Sequence, residues 1–124
     1  MIAWVSVNRD DVMSIIHFLE EAQQLADQHA PVRLHDRYVT ADGFDVDLYV
    51  FHTPGEGRLH TCDRDEFFYV LKGTFTIQVE NSTHQLQHSE GLNIKAGIKH
   101  KHTASNDTWV MVVSKWPHKH VYYD

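Results

Sequence analysis

Apolar positions along the first quarter of the chain recur at helical spacing. From about Asp10 to His29, Val12, Ile16, Leu19, Ala22 and Leu25 form one apolar stripe, which predicts an amphipathic helix. Asn8 or Asp10 can cap its start, and Asp11 places negative charge near the positive end of the helix dipole. Ala30-Pro31 ends it, because proline disfavours the helical state of the residue before it.

After Pro31 the period switches from helix to strand. Val32 to Thr40 and Phe44 to Thr53 read as two extended runs joined by Ala41-Asp42-Gly43, a hairpin turn. Phe67 to Leu71 is a continuous apolar run, expected of a strand buried on both faces. Past Gly73, Phe75, Ile77 and Val79 alternate with polar residues. A short strand from Thr83 to His88 and a last one from Trp109 to Trp116 complete the set. Many short strands with glycine turns between them predict an all-β sandwich or barrel with one N-terminal helix. The domain division is an N-terminal segment over 1–31 and a barrel over 32–124, a single domain overall. The helix stripe has to cover something, either its own barrel or a partner's.

With 124 residues there is room for one compact domain and not two. A net charge of -6 argues against a nucleic-acid partner. No apolar run approaches bilayer length and Met1 to Ser6 lacks a basic start, so a cytoplasmic protein without a membrane partner is expected. The single cysteine, Cys62, excludes an internal disulfide framework and fits a reducing compartment. Eleven histidines are the one odd feature, because imidazole is the commonest metal ligand.

His60 and Cys62 stand two apart, so on a strand both side chains leave the same face. Asp63-Arg64-Asp65 reads as a turn tip, after which Glu66 opens the next strand. Two neighbouring strands would then aim an imidazole, a thiol and a carboxylate at one point. Far along the chain His100 and His102 form a second same-face pair, just after the glycine turn at Gly97. Nitrogen, sulfur and oxygen donors drawn from two segments suit a transition metal. His102 is a donor that orients a ligand, a substitute ligand, a lid residue or, more plainly, a barrel-lining histidine bonded to a neighbour. His84 and His88 read as solvent-exposed, and His118 and His120 as a solvated tail beyond Pro117. Arg58 and Arg64 read as surface charges.

The stretch His60-x-Cys62-x3-Glu66-x6-Gly73 resembles the first motif of the cupin superfamily, Gly-x5-His-x-His-x3-Glu-x6-Gly. Gly97-x2-His100 resembles the core of the second, Gly-x5-Pro-x-Gly-x2-His-x3-Asn, and Asp65 to Gly73 looks like the usual sequence of small single-domain cupins. The second motif is degraded: Lys95 takes the proline position, Ala104 the asparagine position, and Gly91 lies two residues too close to Gly97. Gly55 is one residue too close to His60.

The resemblance implies a double-stranded β-helix, the jelly-roll cupin barrel, with a divalent metal bound by His60, Glu66 and His100. The family's second histidine falls on Cys62, which either ligates as thiolate or packs as a small buried hydrophobe. Zinc, iron, nickel, copper and manganese all remain open, with softer ions favoured if Cys62 ligates. Three function classes fit. One is a metal-binding cupin with a small-molecule pocket, oxygenase- or isomerase-like. The others are a non-catalytic binding or sensing module, and a degenerate cupin that has lost its metal. A homodimer is expected from the same family.

Overall fold

The computed structural model describes residues 2–6, 15–28, 33–39 and 43–123. In chain order the elements are β1 (Ile2–Ser6), α1 (Phe18–Ala26), β2 (Arg33–Val39), β3 (Phe44–Phe51), β4 (Gly55–Glu56), β5 (His60–Cys62) and β6 (Glu66–Lys72). They continue with β7 (Phe75–Val79), β8 (Ser82–Leu86), β9 (Gly91–Ile94), β10 (His100–Ala104), β11 (Thr108–Lys115) and β12 (His120–Tyr122). One sheet runs β1-β2-β3-β11-β6-β9, and the other β12-β5-β10-β7-β8 with β4 also paired to β10. All pairings are antiparallel except β1 with β2. This is the expected jelly-roll barrel.

The first sheet is buried on its inner face and on the part of its outer face that α1 covers. Inward, Phe51, Phe68, Val70, Val110 and Val112 meet Phe75, Ile77 and Ala104 of the second sheet. Outward, Leu48, Val50 and Trp109 pack with Tyr38 and with Ala22 and Leu25 of α1. The helix therefore covers its own barrel. It is shorter than the sequence pattern suggests: Ile15 to His17 are not helical, and Asn8, Asp10, Asp11 and Val12 lie outside the described residues. Phe18, Ala22 and Leu25, at i, i+4 and i+7, are the face that meets the sheet, with Phe18 edge-on to Tyr38 at 5.4 Å. Leu19, one position round from Phe18, turns away and is 59 % exposed. Burial of two apolar side chains and an aromatic edge contact contributes a few kcal/mol, about 1.5–3 per large side chain.

Three further expectations change. Strand β6 is not buried throughout, since Phe67 lies outside the reach of α1 and is 41 % exposed. Strands β5 and β6 do not pair; they belong to opposite sheets, and the turn between them crosses from one to the other. The chain does not finish with β11, because β12 folds back and pairs with β5. Among the described residues no helix is long and apolar enough to cross a membrane.

Of the positive-φ glycines, Gly73 and Gly97 adjoin strands that carry site residues, β6 and β10. Gly73 (φ +84°) links β6 to β7, where a Cβ would come within 2.8 Å of the Asp107 and Thr108 backbone. Gly97 (φ +84°) precedes β10, faces open space, and donates its N–H to the Cys62 carbonyl at 2.9 Å. Gly97→Ala is expected to cost about 1 kcal/mol, the ordinary cost of a left-handed alanine. Gly73→Ala should cost more, about 2–4 kcal/mol, because the backbone contact adds to it. Equal shifts of the two variants in urea unfolding would refute the close approach at Gly73.

Candidate metal centre

Alternation along three strands sends polar side chains into one end of the barrel. On β6, Glu66 faces inward with Phe68 and Val70, and is 5 % exposed. Its partner across β11 is Ser114, which in turn pairs with Asp45 of β3. Glu66, Ser114 and Asp45 thus form one buried polar row across the sheet. Asp47 follows Asp45 on the same face and is also buried. From the opposite sheet, His60 and His100 are direct cross-strand partners with ring centroids 4.2 Å apart. The far end of the barrel is filled by Phe51, Val70, Phe75 and Ile77.

His100 Nε2 lies 2.9 Å from Glu66 Oε1, and His60 Nε2 lies 3.6 Å from the same oxygen. Each ring is anchored through its other nitrogen: His60 Nδ1 donates to the Arg58 carbonyl at 2.8 Å and His100 Nδ1 to the Ile98 carbonyl at 2.9 Å. A carbonyl only accepts, so both Nδ1 atoms carry the proton and both Nε2 atoms turn toward the carboxylate. Burial pushes the Glu66 carboxyl up. Where their Nε2 atoms also carry a proton, His100 and His60 donate to its oxygens and, with the positive charge of His100 and His120, outweigh burial and bring it down to about 2. Where the rings are neutral, the carboxyl faces Nε2 lone pairs instead. Glu66 Oε1 and His100 Nε2 are both buried, and neither makes an aligned hydrogen bond among the described residues. A proton or a metal ion held between them resolves that arrangement, and the donor set fits a divalent metal.

His60, Glu66 and His100 are therefore brought together. Cys62 shares the buried face of β5 with His60, and burial pushes its thiol up to about 11, against the lowering effect of the Arg64 backbone N–H. A donor atom of Cys62 lies within 4.8 Å of donors on His118 and His120. The solvated tail expected for those two histidines is not what forms. His118 Nε2 donates to buried Asp45 Oδ2 at 2.8 Å. His120 is half-buried, with its ring parallel to that of His60 at 4.8 Å and its Nε2 3.9 Å from Glu66 Oε2. Burial lowers the His120 pKa, and the neighbouring His60, His118 and His100 lower it further against the pull of Glu66.

The segment is clasped by reciprocal bonds between Asp63 and Lys119, by Tyr123 N–H to the Leu59 carbonyl, and by Arg58 over the Tyr122 ring at 4.2 Å. Arg58 and Arg64 are both exposed, as expected, and Arg64 donates to the Pro117 carbonyl. In the sequence, the His-x-His spacing of His118 and His120 was the only signal, and it does not reveal the strand pairing that turns them inward.

His102 does not join the centre. Its ring stacks on Phe75 at 5.1 Å and meets Phe51 edge-on at 6.1 Å, so it lines the apolar part of the barrel. His84 and His88 are exposed, as expected. An open groove of about 490 Å³ lies elsewhere, on the outer face of the first sheet, walled by Phe44, Phe67, Asn93 and Val113. Phe67 leaves β6 on the side opposite Glu66, so the groove is separated from the histidines by the sheet itself.

Comparisons with known proteins agree with this architecture. A search of curated protein sequences finds no match. Among solved structures, a conserved protein of unknown function from Streptococcus pyogenes, SPY1581, superposes with a TM-score of 0.71 at 16 % identity, covering 91 % of this chain and 96 % of that one. KdgF from Halomonas sp. gives 0.63 at 16 % identity, over 72 % and 83 %. Salicylate 1,2-dioxygenase from Pseudaminobacter salicylatoxidans gives 0.67 at 14 % identity over 84 % of this chain, which spans only 35 % of that larger protein. At such identities these similarities speak for the fold. The family model described as the cupin domain matches residues 48–115, more than half of the chain and the segment that carries His60, Glu66 and His100, and the chain belongs to that family.

Proposed function

We propose that this protein is a small metal-binding cupin whose His60, Glu66 and His100 hold a divalent transition metal used on a small molecule. The observation that carries the reading is the inward aim of both Nε2 atoms at one buried carboxylate, with each Nδ1 tied to a carbonyl. A metal bound there supplies Lewis-acid or redox chemistry. The chain's own residues do the rest. The carbonyls of Arg58 and Ile98 fix the tautomer and orientation of the two rings. Glu66, as the carboxylate, contributes the negative charge that offsets a cation. Phe68 and Phe75 wall the apolar side, Phe68 edge-on to His100 at 5.9 Å, and limit water there. Access is from the β12 side, where His120 is 26 % exposed and Tyr122 and Arg58 form a rim. Arg58 brings positive charge to that rim, which suits a small molecule carrying a carboxylate or similar anionic group.

An oxygenase- or isomerase-like activity fits this site, and salicylate, named for one structural neighbour, is a substrate of the anionic aromatic kind the rim would accept. A non-catalytic binding module is the second reading, favoured by how closely side chains wall the centre. Oxygen uptake and product formation over a panel of hydroxylated aromatic acids separate the two.

Protein purified without a histidine tag is expected to carry stoichiometric divalent metal by elemental analysis, or to take it up on reloading. Glu66→Gln and His100→Ala should each weaken binding at least about 100-fold, more than loss of a supporting residue does. Wild-type protein that takes up no metal under any loading would overturn the reading and favour a degenerate cupin. Cys62 gives an independent check on the pocket. With its thiol near 11, only about one molecule in a thousand is thiolate at pH 8, so native protein should react with iodoacetamide at least about 100-fold more slowly than unfolded protein. Equal rates would show that the pocket is open and polar around the sulfur. We also propose a homodimer, supported by the exposed Phe44 and Phe67 on the uncovered part of the first sheet; a monomeric mass by light scattering would contradict it.

A further inference from the structure

The metal centre proposed above lacks one imidazole of the family motif, because Cys62 stands where the second histidine belongs. On that reading, we propose that His120 of β12 supplies the missing imidazole, so that the fourth protein ligand comes from the C-terminal strand and Cys62 is left out of the coordination.

The geometry follows from strand pairing. His120 is the direct cross-strand partner of Cys62, and Tyr122 that of His60. Partners directly opposite on an antiparallel pair have Cβ atoms about 5 Å apart on the same face. A histidine at position 120 therefore enters the corner that a histidine at position 62 would enter, from the next strand over. Its ring lies parallel to that of His60, interplanar angle 9°, and donor atoms of His60, Glu66 and His120 all fall within 4.8 Å of one another. Its Nε2 is buried and has no hydrogen-bond partner among the described residues, although the side chain is otherwise 26 % exposed. A polar atom left in that state within 3.9 Å of a carboxylate oxygen is placed for a cation shared with Glu66.

The anchoring of the strand supports the same role. β12 has only three residues, yet it is held on both sides of His120. Lys119 exchanges two bonds with Asp63, and Tyr123 bonds to the Leu59 carbonyl. His118, its ring 5.3 Å from that of His120, is fixed in turn by Asp45. A loose tail would pay the ordering entropy of this segment on binding the metal; a strand already held by five or so contacts does not.

Cys62 is the competing donor. It belongs to a different trio, with His118 and His120, and not to the one containing Glu66. A centre of three imidazoles and one carboxylate lacks the bias toward softer ions that a thiolate would introduce.

Cobalt(II) is the probe, because a cobalt–thiolate bond gives a charge-transfer band in the near ultraviolet that nitrogen and oxygen ligands do not. The wild-type complex should lack that band. Cys62→Ser should bind cobalt with unchanged affinity and an unchanged spectrum, whereas His120→Ala should weaken binding at least about 10-fold. In parallel, long-range proton–nitrogen spectra of wild-type protein should show the His120 ring nitrogen shifting on zinc addition, a readout independent of whether the variant folds. A sulfur band lost in Cys62→Ser would overturn the proposal, as would His120 resonances that do not move. If His60→Ala loses cobalt while His120→Ala keeps it, the centre stands and the role of His120 fails. If wild-type protein binds neither ion, both fail together.

Discussion

A carboxylate buried at the end of a β-barrel is costly unless something positive or hydrogen-bonding faces it, and Glu66 sets that constraint on this molecule. The inward side of β6 is otherwise Phe68 and Val70, so the charge sits at the boundary between a packed apolar interior and a polar end. The structure answers with imidazoles from the opposite sheet: His60 of β5 and His100 of β10, each held through Nδ1 by a backbone carbonyl, and His120 of β12, its ring parallel to that of His60. The local order of the barrel end follows from that demand. His60 and His100 have to be cross-strand partners, the Gly97 turn has to close onto β5 through the Cys62 carbonyl, and the Asp63–Asp65 turn has to cross between the sheets. Asp65 reinforces the junction by accepting from Ala96 N–H and from Asn93, bonds that hold its own carboxyl below the usual range, Ala96 contributing most.

The same polar end explains why the chain continues past β11. Without β12 the donors of His60, Cys62 and Glu66 would face solvent, where a metal site loses the low dielectric that makes its charges count. Strand β12 covers them while leaving a half-exposed edge at His120. At the opposite surface α1 does comparable work for the outer face of the first sheet, covering Leu48, Val50 and Trp109 and leaving Phe44 and Phe67 open. The first sheet is therefore asymmetric: one outer half is closed by the chain itself, and the other carries the apolar groove.

Much of this was legible along the chain, for identifiable reasons. Spacing within a strand and the glycine turns are local properties, so the same-face placement of His60 and Cys62, the position of Glu66 at a strand start and the turns at Gly73 and Gly97 could be read directly. The His60, Glu66 and His100 trio followed from motif resemblance, and the structure brings those three residues together. Asp45 and Asp47 were invisible as interior residues, because Asp-x-Asp alternating with Val46 and Leu48 looks like a polar face turned to water. It is the apolar face that meets α1, and the acidic one that turns into the barrel. The helix was placed in the right region with too great a length, since a stripe of spacing cannot say which of its members finds a partner; Leu19 found none.

The alternation of apolar and polar residues, a period set by backbone geometry within each strand, determined that the chain forms a barrel and which residues share a face. Which faces meet across the barrel is a long-range matter of register and closure. Tertiary structure alone decided that His102 stacks among phenylalanines while His120, sixty residues after His60, lies parallel to its ring. No local pattern distinguishes those two histidines, because the pairing of β12 with β5 depends on contacts between segments that the sequence keeps far apart. The barrel is written residue by residue, whereas the composition of its polar end emerges only when the last strand returns to the first half of the motif.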